Sequence, residues 1–216
     1  MAHMGGVDQL RILCLGDSHG EQWIPALQER ISAQMLPAAL SGMTVGFDNP
    51  DAAHNMLKSL PACLDRLVLI PQVAVDYVLI LLGTNDAKDV YADQQDQVLA
   101  NFRKLILNLR GTHWPGGGTP EIVLISPPPY GAAGEDDAEG KYAGGKKRVI
   151  AMFDALRKLG DELNCLVIDI QTPLAGQMEA LSPDGIHFSV EGYHQIADLI
   201  AAKLDQRLLQ PIKRDA

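Results

Sequence analysis

The chain alternates two hydrophobic rhythms. Short unbroken apolar runs, of the kind that fill strands buried on both faces, are separated by stretches in which apolar residues return every three or four positions. Arg11-Ile12-Leu13-Cys14-Leu15 is the first run and stops at Gly16. Over 21–34 the rhythm becomes helical, with Trp23, Ile24, Leu27 and Ile31 on one stripe and Pro25 early enough for its missing N–H to do little harm. A short strand is expected over 35–40, a loop over 43–51, and a helix over 52–67 interrupted near Pro61. The run at 77–82 predicts the next strand and ends in Gly83-Thr84-Asn85-Asp86. An amphipathic helix follows over 94–110, with Val98, Phe102, Leu105, Ile106 and Leu109 on one side. A strand over 121–125 leads to Ser126-Pro127-Pro128-Pro129, and the Gly-, Ala- and acid-rich stretch 130–144 predicts a mobile surface loop. A helix over 145–163, a strand over 166–170 and a helix over 190–208 capped by Ser189 complete the pattern.

Five strands separated by helices call for a parallel sheet covered on both faces, because right-handed crossovers deliver the helices there. The expected fold class is α/β, a three-layer α/β/α sandwich around a five-stranded parallel sheet. No repeat or linker divides the chain, so residues 7–210 are expected to form one domain. Met1-Ala2-His3-Met4-Gly5-Gly6 reads as an appended or disordered extension. In open sheets of this kind, chemistry gathers beyond the C-terminal ends of the strands.

Composition narrows the function. Apolar residues make up 47% and charged residues 21% of the 216, an ordinary globular balance. The formal net charge of -9 argues against a nucleic-acid partner. No apolar run reaches the roughly 20 residues of a membrane-spanning helix. The N-terminus lacks a basic stretch followed by an apolar one and a small-residue cleavage site, which makes the cytoplasm the expected location, with a leader already removed as the alternative. Cys14, Cys63 and Cys165 are far apart and form no C-x-x-C pair, so neither a metal nor another cofactor is called for.

Three strand ends and one late loop carry polar residues to the same rim. They are Gly16-Asp17-Ser18-His19, Ser41-Gly42, Gly83-Thr84-Asn85-Asp86 and Asp184-Gly185-Ile186-His187. Each has a plain structural reading. Gly-Asp-Ser between a strand and a helix is often only a turn with a cap, and Asp86 is placed to cap the following helix. Yet Asn85 at a strand end is also a donor for a developing oxyanion. Asp184 three residues before His187 can reach Nδ1 and leave Nε2 free for a serine hydroxyl.

Read together, the four groups resemble the SGNH hydrolases, also called GDSL esterases and lipases. That family carries Gly-Asp-Ser, a Gly, Gly-x-Asn-Asp and Asp-x-x-His in this order, over nearly the whole chain. A narrower resemblance joins Leu40-Ser41-Gly42-Met43-Thr44, Phe47-Asp48-Asn49-Pro50, Leu60-Pro61-Ala62-Cys63-Leu64 and the Gly83 block to the arylesterase and acyltransferase branch. The resemblance implies a flavodoxin-like SGNH fold and a serine esterase acting on small acyl groups. Ser18 would be its nucleophile, His187 its base and Asp184 the partner of the base. The oxyanion would be held by the Ser18 and Gly42 N–H groups and the Asn85 amide, with Asp17 holding the turn. It also implies a small-molecule ester substrate and some self-association into a homo-oligomer.

The same residues would serve a carbohydrate O-acetylesterase, a thioesterase or a lysophospholipase, and an inactive binding module on this scaffold is the reading from another class. One position departs from the family: His19 stands in place of the usual Leu. It is expected to line the acyl pocket or to face solvent. The loops 43–51, 111–119 and 130–144 are expected to shape the pocket, and Trp114 is a candidate brace. His54, His113 and His194 are expected on the surface or in satisfied helix positions, and Lys146-Lys147-Arg148 as a solvated helix start.

Overall fold

The apolar runs form β1 (Leu10–Gly16), β2 (Ala33–Ala39), β3 (Tyr77–Leu81), β4 (Glu121–Ile125) and β5 (Leu166–Ile168), paired in the order β2-β1-β3-β4-β5. Every pairing is parallel, as the alternation with helices requires. The computed structural model describes residues 10–68, 74–136 and 139–208. Its helices are α1 (Gly20–Gln28), α2 (Met56–Val68), α3 (Gln95–Arg110), α4 (Ala132–Glu135), α5 (Gly145–Glu162), α6 (Gln171–Ala175), α7 (Met178–Leu181) and α8 (Val190–Leu208).

Period-two alternation along the strands divides the core in two. Ile12, Cys14, Leu79, Leu81, Val123 and Ile125 point to one face, where Trp23 and Leu27 of α1 and Ile196 and Ile200 of α8 cover them. Leu13, Leu15, Val78, Ile80 and Leu124 point to the other, under Leu60 of α2, Phe102 and Leu105 of α3 and Leu156 of α5. Each such fully buried side chain contributes roughly 1.5–3 kcal/mol of transfer free energy. The expected three-layer α/β sandwich is the observed one. Among the described residues no helix is long and apolar enough to cross a membrane.

Several boundaries differ from the sequence reading. The first helix stops at Gln28 rather than near 34, because the Gln28 side chain turns the chain into β2: its amide donates to the Ala33 carbonyl at 2.6 Å and its carbonyl accepts from the Met35 N–H at 3.3 Å. Pro37 is tolerated in β2 because that strand lies at the sheet edge. Pro61 does not interrupt α2, which runs unbroken through it. The break falls earlier, at Asn55, where a 3-10 turn over Ala52–His54 ends and Asn55 bridges to Thr44. The strand β5 closes two residues early, since the Ile170 and Gln171 N–H groups turn to the Ser126 hydroxyl at 3.0 and 3.1 Å.

Register decides where the polar groups emerge. Gly16 lies level with Ala39 on one side and with Leu81 on the other. The chain therefore leaves β1, β2 and β3 at one height, on both sides of the point where the strand order reverses direction, and this is where such sheets form a crevice.

Candidate active site

The turn after β1 is tight. Gly20 N–H returns to the Asp17 carbonyl at 3.0 Å and the buried Asp17 carboxylate accepts the His19 N–H at 3.1 Å, which matches the turn-holding role expected of Asp17. Ser18 sits at the apex, half-buried, with the positive end of α1 beginning two residues on.

From the far end of the chain a second turn meets it. Ser18 Oγ lies 3.0 Å from His187 Nε2, across 169 positions of sequence. His187 Nδ1 lies 2.8 Å from Asp184 Oδ2, while Asp184 Oδ1 accepts the Ile186 N–H at 2.8 Å and the His187 N–H at 2.6 Å. Burial pulls the Asp184 carboxyl up, but these bonds, the His187 ring first, outweigh it and hold the group below its ordinary range. The Ser182 hydroxyl donates to the His187 carbonyl at 2.8 Å and fixes the turn from behind. Gly185 makes the turn possible: its φ is +74°, and a Cβ there would lie 2.2 Å from the Gly134 nitrogen. Its carbonyl accepts the Gly131 N–H at 2.8 Å. The stretch expected to be only a mobile surface loop thus begins with buried Tyr130 and Gly131, forms α4 and packs against the turn that carries the imidazole.

The other two groups converge through one loop. Asn85, almost fully buried, donates its amide to the Met43 carbonyl at 3.1 Å. Asp86 does not cap the next helix; both of its oxygens face the Val45 N–H, at 3.0 and 3.2 Å. Burial, then the Asp17 charge, pushes the Asp86 carboxyl up to about 7 against the pull of the Val45 bond. Gly42 precedes this anchored stretch at φ +81°, and its carbonyl accepts from the Asn49 amide at 2.7 Å. Of the five residues expected in the site, Ser18, His187 and Asp184 are thus in direct contact, and Asn85 and Gly42 are joined through Met43.

Some partners were invisible in the sequence. Tyr130 donates its hydroxyl to the Thr84 carbonyl, and Arg148 donates to the Ala87 carbonyl at 2.7 Å, so this arginine supports the Gly83 block instead of sharing a solvated helix start with Lys146 and Lys147. No local pattern marks either residue for that task. His19 neither lines a pocket nor meets solvent: it is fully buried, with Nδ1 3.1 Å from the Tyr193 hydroxyl. The 111–119 loop enters the N-terminal end of β4, the sheet edge opposite Ser18, and Trp114 there is a core residue donating to the Leu109 carbonyl at 2.9 Å. Neither shapes the site. His54 pairs with Asp51 at 2.9 Å, and its ring lies beside Gly42.

Beside the imidazole and its carboxylate partner lies a cavity of about 460 Å³, lined by Ala133, Gly134, Glu139, Lys141, Tyr142, Asp184, Ile186 and His187. The Lys88 and Lys141 ammonium groups lie 5.8 and 5.4 Å from the Tyr142 ring centroid, so the wall is polar and cationic as well as aromatic. Among the described residues no cluster of three His, Cys, Asp or Glu could hold a metal ion. A serine hydroxyl bonded to an imidazole that is itself bonded to a carboxylate is an arrangement suited to nucleophilic acyl transfer.

The sequence profile of the GDSL-like lipase/acylhydrolase family matches residues 14–195, from within β1 into α8. No curated protein matches the chain. Among solved structures, the fold is similar to that of a carbohydrate acetylesterase family member from Sinorhizobium meliloti, with TM-score 0.79 and 22% identity over 94% of this chain and 100% of that one. It is also similar to the aryl esterase of M. smegmatis, with TM-score 0.75 and 22% identity over 91% of this chain and 99% of that one. An acetylxylan esterase from Geobacillus stearothermophilus gives TM-score 0.64 and 18% identity over 90% of this chain and 94% of that one. A profile match over most of the length, on this fold, leaves one assignment: the chain belongs to the GDSL-like lipase/acylhydrolase family of SGNH hydrolases, which act on ester bonds.

Proposed function

We propose that the protein hydrolyses, or transfers, short acyl groups from carboxylic esters through a covalent acyl-Ser18 intermediate. His187 Nε2 takes the Ser18 proton as Oγ attacks the ester carbonyl carbon, and Asp184 orients the ring and stabilises its charged form. The oxyanion of the tetrahedral intermediate is held by the Ser18 and Gly42 N–H groups and the Asn85 amide. Collapse breaks the bond to the alcohol, which leaves with the proton from His187. Water, or a second alcohol, then gives its proton to His187 and attacks the acyl carbon, and the bond to Ser18 Oγ breaks as His187 returns the proton to that oxygen. The observation that carries this reading is the continuous contact from Ser18 Oγ to His187 Nε2 at 3.0 Å and from Nδ1 to Asp184 at 2.8 Å.

A carbohydrate O-acetylesterase is the second reading, favoured by the polar cavity wall of Glu139, Lys141 and Tyr142 beside His187. Such a wall suits a hydroxylated leaving group, and one similar structure is described as a carbohydrate acetylesterase family member. p-Nitrophenyl esters of increasing chain length, run beside acetylated sugars, separate the two. In either case Ser18→Ala should reduce turnover to background and abolish covalent labelling by a fluorophosphonate while the fold persists. Activity near wild type in that variant overturns the proposal.

A further inference from the structure

His19 follows the nucleophile directly and occupies the place where this family usually has leucine. Leucine would fill the space without a polar atom in need of a partner. The imidazole here is fully buried, and burial draws its pKa below the ordinary value against the opposing pull of Asp17, so the ring is held neutral. Its Nδ1 lies 3.1 Å from the hydroxyl of Tyr193, itself buried on the first turn of α8. The Phe188 N–H is turned toward the same oxygen and opposes the rise in the phenol pKa that burial causes. By donor count, the phenol proton then points to His19 Nδ1, and the ring proton stays on Nε2, which has no hydrogen-bond partner among the described residues. A buried donor left unpaired lowers stability relative to an apolar side chain of similar shape.

The connectivity shows what this arrangement holds. His19 is bonded in sequence to Ser18, and Phe188 to His187. Tyr193, hydrogen-bonded to His19 across 174 positions of sequence and packed edge-on against Phe188 with ring centroids 5.9 Å apart, therefore ties the two reacting segments together. The rings pack as one group: His19 lies 5.4 Å from His187, 6.1 Å from Phe188 and 5.9 Å from Tyr193, centroid to centroid. We propose that His19 and Tyr193 are positioning residues whose hydrogen bond, with the Tyr193 ring packed on Phe188, keeps the Ser18 hydroxyl and the His187 ring at reacting distance. The inference rests on the acyl-serine reading above and adds to it a buried brace in place of an apolar contact.

Tyr193→Phe removes only the bonding oxygen, His19→Leu installs the family residue, and His19→Asn keeps an acceptor near the position of Nδ1. With p-nitrophenyl acetate, Tyr193→Phe and His19→Leu are each expected to lower kcat about tenfold with KM nearly unchanged, since loosened geometry acts on the reacting pair and not on ester binding. The double variant should fall no further than either single one, because both break one link. His19→Asn should recover most of the loss. In the proton spectrum, the low-field signal of the His187 Nδ1 proton should broaden in Tyr193→Phe. Folded His19→Leu and Tyr193→Phe variants with wild-type kcat, or losses that add in the double variant, overturn the brace. Ser18→Ala with retained activity would instead remove the acyl-serine reading, so the two failures are distinguishable.

Discussion

Asn85 holds the carbonyl of Met43, one residue after Gly42, so the side chain proposed to face the oxyanion also fixes the loop that carries a second oxyanion donor. Its truncation should act twice. Asn85→Ala is expected to lower kcat by about 10²–10³-fold, the scale of a lost oxyanion donor, with a smaller rise in KM. Steady-state kinetics on p-nitrophenyl acetate read both numbers; a change confined to KM would count against the oxyanion role.

Asp184 is the outermost member of the chain of contacts, with its side chain 56% exposed. Asp184→Asn would leave the Ile186 and His187 N–H groups an oxygen to bond but remove the charge behind the imidazolium. We expect kcat to fall by about 10²–10⁴-fold, toward the lower end because water can reach the position and replace part of the lost stabilisation. Slower fluorophosphonate labelling should accompany the loss. Unchanged labelling would show that the carboxylate does not activate Ser18 through His187.

Asp86 should leave a signature in the pH dependence of stability. Its carboxyl titrates near 7 when folded against about 3.8 otherwise, so the folded chain binds this proton more tightly. Between those values the native state holds more protons than the unfolded state. The group's contribution to stability is therefore full below about 3.8 and lost as the pH rises to about 7. Asp86→Asn keeps an acceptor for Val45 and cannot titrate. Urea unfolding across this window should show stability changing less favourably with rising pH in the wild type than in the variant; parallel profiles would exclude the raised carboxyl.

Gly185 is constrained by both its backbone angle and its neighbour, the Gly134 nitrogen. Gly185→Ala should cost at least ~2 kcal/mol of stability, from left-handed backbone strain and the collision with α4. Because the turn carries Asp184 and His187, kcat should fall as well. Chemical denaturation and kinetics on the same sample test both; a variant as stable as wild type would mean that α4 yields at no cost.

Legibility in the sequence followed the range of the interaction. The strands were readable because a buried parallel strand announces itself as a local apolar run, and the Gly16, Gly42, Gly83 and Asp184 groups because each is a short motif at a strand end or turn. Asp184 and His187 are three residues apart, so even their contact could be anticipated. What escaped depends on distant partners. Asp86 looked like a helix cap until Val45, 41 positions away, was seen to occupy it. Arg148 looked solvated until the Ala87 carbonyl, 61 positions away, was seen to claim it. His19 had no visible role without Tyr193. The early end of α1 has a nearer cause: the Gln28 side chain competes for backbone groups of β2, and the apolar period runs on through Ile31 regardless of where the hydrogen bonds stop.

The contact between Gly185 and α4 also sets terms for anyone wishing to redirect this enzyme. The stretches most inviting to exchange are 131–136 and 139–142, since they wall the cavity and lie outside the sheet. The inner edge of the first, however, is a mould for the base-bearing turn: a Cβ on Gly134 would sit 2.6 Å from the Ile186 side chain, and one on Gly131 would crowd the Gly185 Cα at 3.1 Å. A transplanted wall that omits those two glycines would dislodge the imidazole before any new ester could be tried. Cavity wall and base-bearing turn share a seam here, and redesign has to begin on its outer side.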